Sequence, residues 1–451
     1  MRYYKKTGGR TLMKIVHKSY AAMLTVLAVL LAGCGNAGSS VTTPADKVEN
    51  FSITLRHTQV KDTQQKRLAM LQDVVKATES EVPGLKIELD GVEDTVNRDT
   101  KLKAEMATGS PPKIFDLFGG TDTRNYVKAD RLLELTPILQ ELGLRERFIS
   151  LDEFTVDGKV YGLPMAGYVE GVYYNKAIFR KLSLSVPGTW EEFLGVCEQL
   201  KKSGYTPLAL ASKEGWAPMM TANYMWVRLA GADSVAGFVD GSFKWNDPQV
   251  IEAFTKYDSL FRQGYMQPNS LSFKYFEQAE QLMSGSAAMM VDGSWANTPL
   301  IDPRISKIAG DVGFFPFPDM NGHGDGLIMG GYSNGYGFSK ELNERQLSAV
   351  KQFIKEMYND NMQKRQLLEE GMLPSMKLTD LSGVKPVIQE ILNAANKAKG
   401  VFPAYDAIVQ QKVKEAAERG IQEQIGGKTA PGRMLETVQG VQEAANQTKP
   451  K

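Results

Sequence analysis

Glu170 and Asp292 have the clearest capacity for chemistry, because glycoside hydrolysis requires two poised carboxylates facing one bond. Glu170 lies in YVEGVYYN, and Asp292 opens DGSW directly after the apolar run AAMMV. Spacing alone leaves that pairing open. Other reactive patterns fail on their own terms. GGKT at 426–429 ends like a phosphate-binding loop, but Gln422 stands where the first glycine of GxxxxGK[ST] belongs, and a helix precedes it. Ser294 lacks the GxSxG elbow of a hydrolase nucleophile. His57 and His323 are isolated histidines and make a poor zinc site, so neither metal nor cofactor is expected. Cys197, in EEFLGVCEQLKK, has the apolar spacing of a helix core.

The elements that position these residues follow a strand–helix rhythm. Phe51–Ile53–Leu55 alternates as a strand ending near His57 and Thr58, and a helical segment follows to about Ala77. PGLKIELDGV supplies a second strand. Residues 96–108 read as a helix stopped by Gly109 and two prolines, and KIFDLF at 113–118 is a third strand. The pattern recurs after Gly158, with Thr189 as N-cap of a helix carrying Glu191 and Glu192 in its first turn. Amphipathic helices are expected at 247–263 and 341–358. This order predicts an α/β fold of two bodies, each a mostly parallel sheet covered by helices. Such sheets bind ligands beyond the carboxyl ends of their strands, so a cleft between the bodies is the place to look.

The amino terminus has a separate logic. Lys14 and Lys18 precede an apolar stretch over 21–32, then Gly33 and Cys34. That stretch is shorter than the roughly twenty residues that span a bilayer. Residues 1–33 therefore read as a lipoprotein signal peptide, and LAGC as a lipobox with Cys34 as the lipid acceptor. Residues 34–49 are the lipidated cysteine and a small, polar, flexible tether, and 447–451 a disordered tail. The body is expected on the extracellular side of the cell membrane, held by lipid. Without residues 1–33, which hold six basic and no acidic residues, 47 basic face 52 acidic residues. That balance of about −5, with no basic stripe, excludes nucleic acid as a partner. Repeats and low-complexity stalks, the marks of an adhesive surface protein, are missing from the sequence.

Four segments carry a resemblance: DGKVYGLPM (157–165), VYYNKAIF (172–179), PGTWEEF (187–193) and GSAAMMVDGSW (285–295). In this order, and with the lipobox, the chain resembles bacterial extracellular solute-binding proteins of family 1. These are sugar-binding lipoproteins of ABC importers, related to maltodextrin-binding proteins. The likeness covers most of 50–440 and implies a two-lobe, type II periplasmic-binding-protein-like fold hinged around a central cleft. Carried over, it assigns 50–164 and 312–379 to lobe one, and 165–311 and 380–446 to lobe two. It also implies a monomer without catalytic activity that hands a sugar or oligosaccharide to transmembrane permease subunits.

A sugar offers an apolar face for aromatic rings and a rim of hydroxyls for fixed polar groups. On that basis Trp295, in the position of the family's stacking tryptophan, is the expected platform. Trp216, in the loop after TPLALA, is the second. Tyr168 aligns with a family contact residue that is acidic in maltodextrin receptors, Glu170 is the nearest acid, and Asp292 precedes Trp295 in DGSW. The rim readers expected from lobe one are His57, Thr58 and Gln59 at the first strand's end and Asp122 after the third. Tyr332, Asn334 and Tyr336, in the glycine-rich stretch 322–337, complete the expected cleft set.

Overall fold

In the computed structural model, which describes residues 49–447, the alternating Phe51–Leu55 pattern forms β1 (Phe51–His57), parallel to β2 (Leu85–Gly91) and β3 (Ile114–Phe118). The expected leader and Cys34 lie outside the described residues. A short hairpin, β4 (Thr155–Val156) and β5 (Lys159–Val160), leads to β6 (Gly162–Pro164). The chain then enters a second sheet as β7 (Tyr168–Asn175), followed by β8 (Thr206–Ala209), β9 (Ala287–Gly293), β10 (Val312–Phe315) and β11 (Leu327–Gly331). It returns to the first sheet as β12 (Asn334–Phe338), and β13 (Gly400–Phe402) closes the second. The strand orders are β2-β1-β3-β12-β6 and β13-β11-β7-β9-β8, with β10 also on β7.

Both sheets are mixed, which corrects the mostly parallel sheets expected. β12 runs antiparallel to β3 and β6, and β7 antiparallel to β9, β10 and β11. The βα rhythm specifies only strands joined by crossover helices. β7 and β12 instead enter directly from the other lobe, over the short links 165–167 and 332–333. The return to lobe one also comes later than the expected residue 312. β10 and β11 still pair with β7, so the chain re-enters the first sheet only at β12.

Apolar faces of flanking helices fill each lobe. In the first, Leu71, Val74 and Val75 of helix Gln65–Glu81 pack in one core with Phe353 and Ile354 of helix Glu344–Met357. In the second, helix Trp190–Lys202 begins with a capping box: the Glu192 N–H donates to the Thr189 hydroxyl, and the Glu192 carboxylate accepts from the Thr189 N–H. Cys197 on this helix is fully buried, and burial pushes its thiol well up, away from nucleophilic thiolate. No described helix is long and apolar enough to cross a membrane.

The interlobe links run side by side. The Gly167 backbone lies against the Tyr332 ring so closely that a Cβ there would meet it at 2.7 Å. Glu153 fixes the second link by accepting from the Tyr332 N–H and the Ser333 hydroxyl, each at 2.6 Å. The Gly167 N–H donates to the Leu373 carbonyl, which ties in a third segment.

Candidate functional site

Between the lobes lies a cavity of about 230 Å³. Its second-lobe wall is aromatic. Trp295 follows β9 on a single 3₁₀ turn and folds back over Gly293, where a Cβ would come within 2.3 Å of the indole. This close approach is the physical content of the DGSW sequence: position 293 must be glycine for the indole to lie where it does. Trp216 opens helix Trp216–Ala230, and Tyr275 and Phe276 open helix Tyr275–Ser284, so both helices deliver rings from their first turns. Ring centroids lie 4.5 Å apart for Trp216–Tyr275, 5.4 Å for Tyr168–Trp295 and 6.4 Å for Trp216–Trp295. These tilted and edge-on geometries suit aromatic quadrupoles while leaving half-buried faces of Trp216, Tyr275 and Trp295 on the cavity.

A hydrogen-bond relay holds the rings. Trp295 Nε1 donates to the Tyr275 hydroxyl at 2.5 Å, and that hydroxyl donates to Asp292 Oδ1 at 2.9 Å. Asp292 also accepts from Gln278 Nε2 (3.1 Å) and the Gly293 N–H (2.8 Å). Burial pushes its carboxyl up to about 7, against the opposing pull of these donors.

The first-lobe wall is polar. Thr58 and Gln59 leave the end of β1, and the Thr58 hydroxyl donates to Asp116 Oδ2 at 3.1 Å. Asp116 sits within β3, and burial, then the neighbouring Asp94, raise its carboxyl to about 7. Arg98 projects from a π-helical turn, Asn97–Lys101, interrupting the expected helix 96–108. Its guanidinium lies 3.2 Å from the Phe118 ring centroid.

Charged pairs join the walls. Arg98 Nη1 donates to Asp406 at 2.8 Å while its Nε donates to Asp122 at 3.1 Å. Arg67 donates to Glu370 of its own lobe (3.3 Å) and across the cleft to the Thr298 hydroxyl (3.2 Å). Lys414 lies 3.4 Å from Asp99, and the Lys61 ammonium 3.7 Å from the Phe276 ring centroid. The lobes are therefore closed on each other.

Of the twelve residues expected at the cleft, Trp295, Trp216, Tyr168, Glu170, Thr58, Gln59 and Asn334 line the cavity together. The other five sit elsewhere. His57 is buried against Gly91, its Nδ1 accepting from the Gln59 N–H. Asp122 lies behind the wall on Arg98. Tyr332 packs on Gly167 in the interlobe link, and Tyr336 is buried edge-on to Phe353 in the first core. Asp292 stands behind Tyr275. The hydrolytic pairing also fails on register, because Glu170 is opposite Gly293 whereas Asp292 is opposite Gly171. Cross-strand partners share a face and successive residues alternate, so the two carboxylates point to opposite faces of the sheet. Among the described residues, no cluster of three or more His, Cys, Asp or Glu is placed to hold a metal ion.

Sequence reasoning missed Tyr275, Phe276, Arg67, Arg98, Asp116, Glu214 and Asp406, all on the cavity wall. Asp116 carried a usable signal, a lone charge inside the apolar strand KIFDLF.

Residues 62–364 match the family model described as bacterial extracellular solute-binding protein. The chain belongs to that family. A solved structure described as a chitin oligosaccharide binding protein is 57% identical, with a TM-score of 0.86, covering 88% of this chain and 99% of that one. A multiple sugar-binding protein of Streptococcus mutans serotype c is 28% identical over 363 residues, 79% of each chain. Maltose-bound MalE3 of T. maritima shares the fold, with a TM-score of 0.75 at 18% identity over 87% of this chain and 99% of that one. The chain is thus the extracellular sugar- or oligosaccharide-binding component of an ABC importer, delivering its ligand to a membrane permease. It is a receptor and not an enzyme.

Proposed function

We propose that the sugar captured in the cavity is an uncharged oligosaccharide of the chitin type. Its rings would lie against Trp295, Trp216, Tyr168 and Tyr275, with the rims read by Thr58, Gln59, Glu170 and Asn334. The observation that carries this reading is the cluster of half-buried aromatic faces opposite a polar wall. Flat rings match the C–H faces of pyranoses and the methyl of an acetamido group, while fixed polar groups match their rims. The description of the 57%-identical structure as a chitin oligosaccharide binding protein supports the same class. Calorimetric titration with N-acetylchito-oligosaccharides, maltodextrins, xylo-oligosaccharides and raffinose tests it. A Kd of about 1 µM, or about −8 kcal/mol, is expected for a chitin oligomer. Tight binding of another class with none of chitin oligomers would overturn the assignment.

We further propose that the receptor works as a monomer tethered through lipid on Cys34. The support is the basic-then-apolar leader ending in LAGC. Cys34→Ala is expected to release the protein to the medium or leave it uncleaved. Equal membrane retention of wild type and mutant after a high-salt wash would contradict the anchor.

A further inference from the structure

Glu170 is fully buried in β7, and neither oxygen of its carboxyl group has a hydrogen-bond partner. Its side chain nevertheless lines the cavity alongside Tyr168, Ser294 and Trp295. The neighbouring polar groups are committed elsewhere. The Tyr224 hydroxyl donates to the Glu170 backbone carbonyl at 3.1 Å and accepts from the Met329 N–H at 3.0 Å. The Ser294 hydroxyl accepts from the Val169 N–H at 3.2 Å.

The charges around Glu170 are also committed. Asp292 on β9, from the other face of the sheet, and Asp406 of the turn Tyr405–Ala407 act on it with like charge, and Tyr168 and Tyr173 on its own strand and Tyr224 on helix Trp216–Ala230 complete the titratable groups around it. The cations of the cavity have other partners: Arg98 with Asp122 and Asp406, Arg67 with Glu370, Lys414 with Asp99 and Glu418, Lys61 with Glu93. A buried carboxylate with neither a cation nor a donor is strongly disfavoured. Burial first, then Asp292 and Asp406, raise the pKa of Glu170 well above the carboxylate range. The uncharged form presents one O–H donor and one carbonyl acceptor, and neither has a partner in the protein.

We propose that Glu170 reads the sugar as an uncharged carboxylic acid, donating its O–H to a ligand oxygen and accepting from a ligand hydroxyl or amide N–H. This rests on the reading of the cavity as the sugar site. It deepens that reading by making the site selective for neutral sugars. An anionic sugar would meet Asp406 on the cavity wall, and a cationic amino sugar would require the ionised form.

The test has two arms. In the first, N,N′-diacetylchitobiose is titrated into wild type, Glu170→Gln and Glu170→Ala from pH about 5 to about 9, with the melting temperature of each recorded. Wild-type affinity should fall by up to about tenfold per pH unit once Glu170 ionises. Glu170→Gln, which keeps a donor and an acceptor, should stay within about threefold of wild type at low pH and lose that fall. Glu170→Ala should bind at least about tenfold more weakly while melting no lower. Burial also raises the carboxyls of Asp116 and Asp292, and both residues are kept in all three proteins, so it is the comparison of wild type with Glu170→Gln that reads the contribution of Glu170. A folded Glu170→Gln as weak as Glu170→Ala would mean that the charge is required, and a Glu170→Ala that binds like wild type would remove the residue from the site. Either result overturns the proposal. The second arm needs no sugar. The infrared difference between wild type and Glu170→Gln at pH about 7 should contain the C=O stretch of a protonated carboxyl, and its absence overturns the proposal whichever sugar binds. A band present with no chitin oligomer bound would instead fault the ligand class.

Discussion

The two walls of the cleft are made of different materials. The second-lobe wall carries Trp216, Tyr275, Phe276 and Trp295, with Trp295 and Tyr275 tied to Asp292, whereas the first-lobe wall carries Thr58, Gln59, Arg67, Arg98 and Asp116. Preset rings cost little entropy to bind against and remove apolar area from water. Hydroxyls, amides and ion pairs add directional bonds that form only when the lobes meet. On the proposed function, the contrast gives affinity chiefly to the second lobe, and closure and rim recognition to the first.

The largest expected effect separates the aromatic wall from the aromatic core behind it. Trp226 is fully buried, stacked on Phe254 at 5.9 Å and edge-on to Trp245 at 5.5 Å. Trp226→Ala should cost about 3–5 kcal/mol of folding stability, read as a lowered denaturant midpoint. The folded fraction should still bind sugar normally. Selective loss of affinity at unchanged stability would erase the distinction between wall and core.

Arg98 probes the polar wall. Arg98→Ala leaves Asp122 and Asp406, both largely buried, without their shared cation, and cuts one tie between the lobes. Affinity should weaken by about tenfold, because closure loses a charge-assisted bond of about 1.5–3 kcal/mol. Small-angle scattering of the ligand-free mutant should show a more open population. Unchanged affinity and scattering would place closure elsewhere, with Arg67 and Thr298 the next pair to test.

The smallest effect is a pH dependence. Asp292 has a pKa raised to about 7, so the folded state holds a proton that the unfolded chain has released. Its contribution therefore lowers stability as pH rises from about 4 to about 7. The melting-temperature difference between Asp292→Asn and wild type should grow in the mutant's favour across that window. A difference independent of pH would contradict a protonated Asp292.

Much of the second-lobe wall was legible in sequence because it depends on local geometry. Trp295 and Trp216 each follow a strand end, whereas the role of Gly293 in letting the indole fold back shows only in the structure. Thr58 and Gln59 were found by the same rule. Ties between distant segments were not legible: Arg98 meets a residue 308 positions away from a π-helical turn that no apolar period announces. Strand ends also misled where the chain bends. His57 and Tyr336 occupy plausible positions but turn into the first lobe, and Asp292 turns away from the cavity by the alternation that turns Glu170 toward it. The mixed sheets were missed for a similar reason, since the direction of β7 and β12 is set by crossings between lobes.

Trp295→Ala tests the central claim most directly, with its sugar titration and its denaturant midpoint measured on the same preparation. A platform that carries binding should weaken Kd by about thirtyfold or more, equivalent to at least about 2 kcal/mol. The midpoint should move little, because the indole is only partly buried in the free protein. A folded mutant with unchanged affinity, or one whose binding loss follows from a loss of about 3–5 kcal/mol in stability, would contradict an aromatic second-lobe platform.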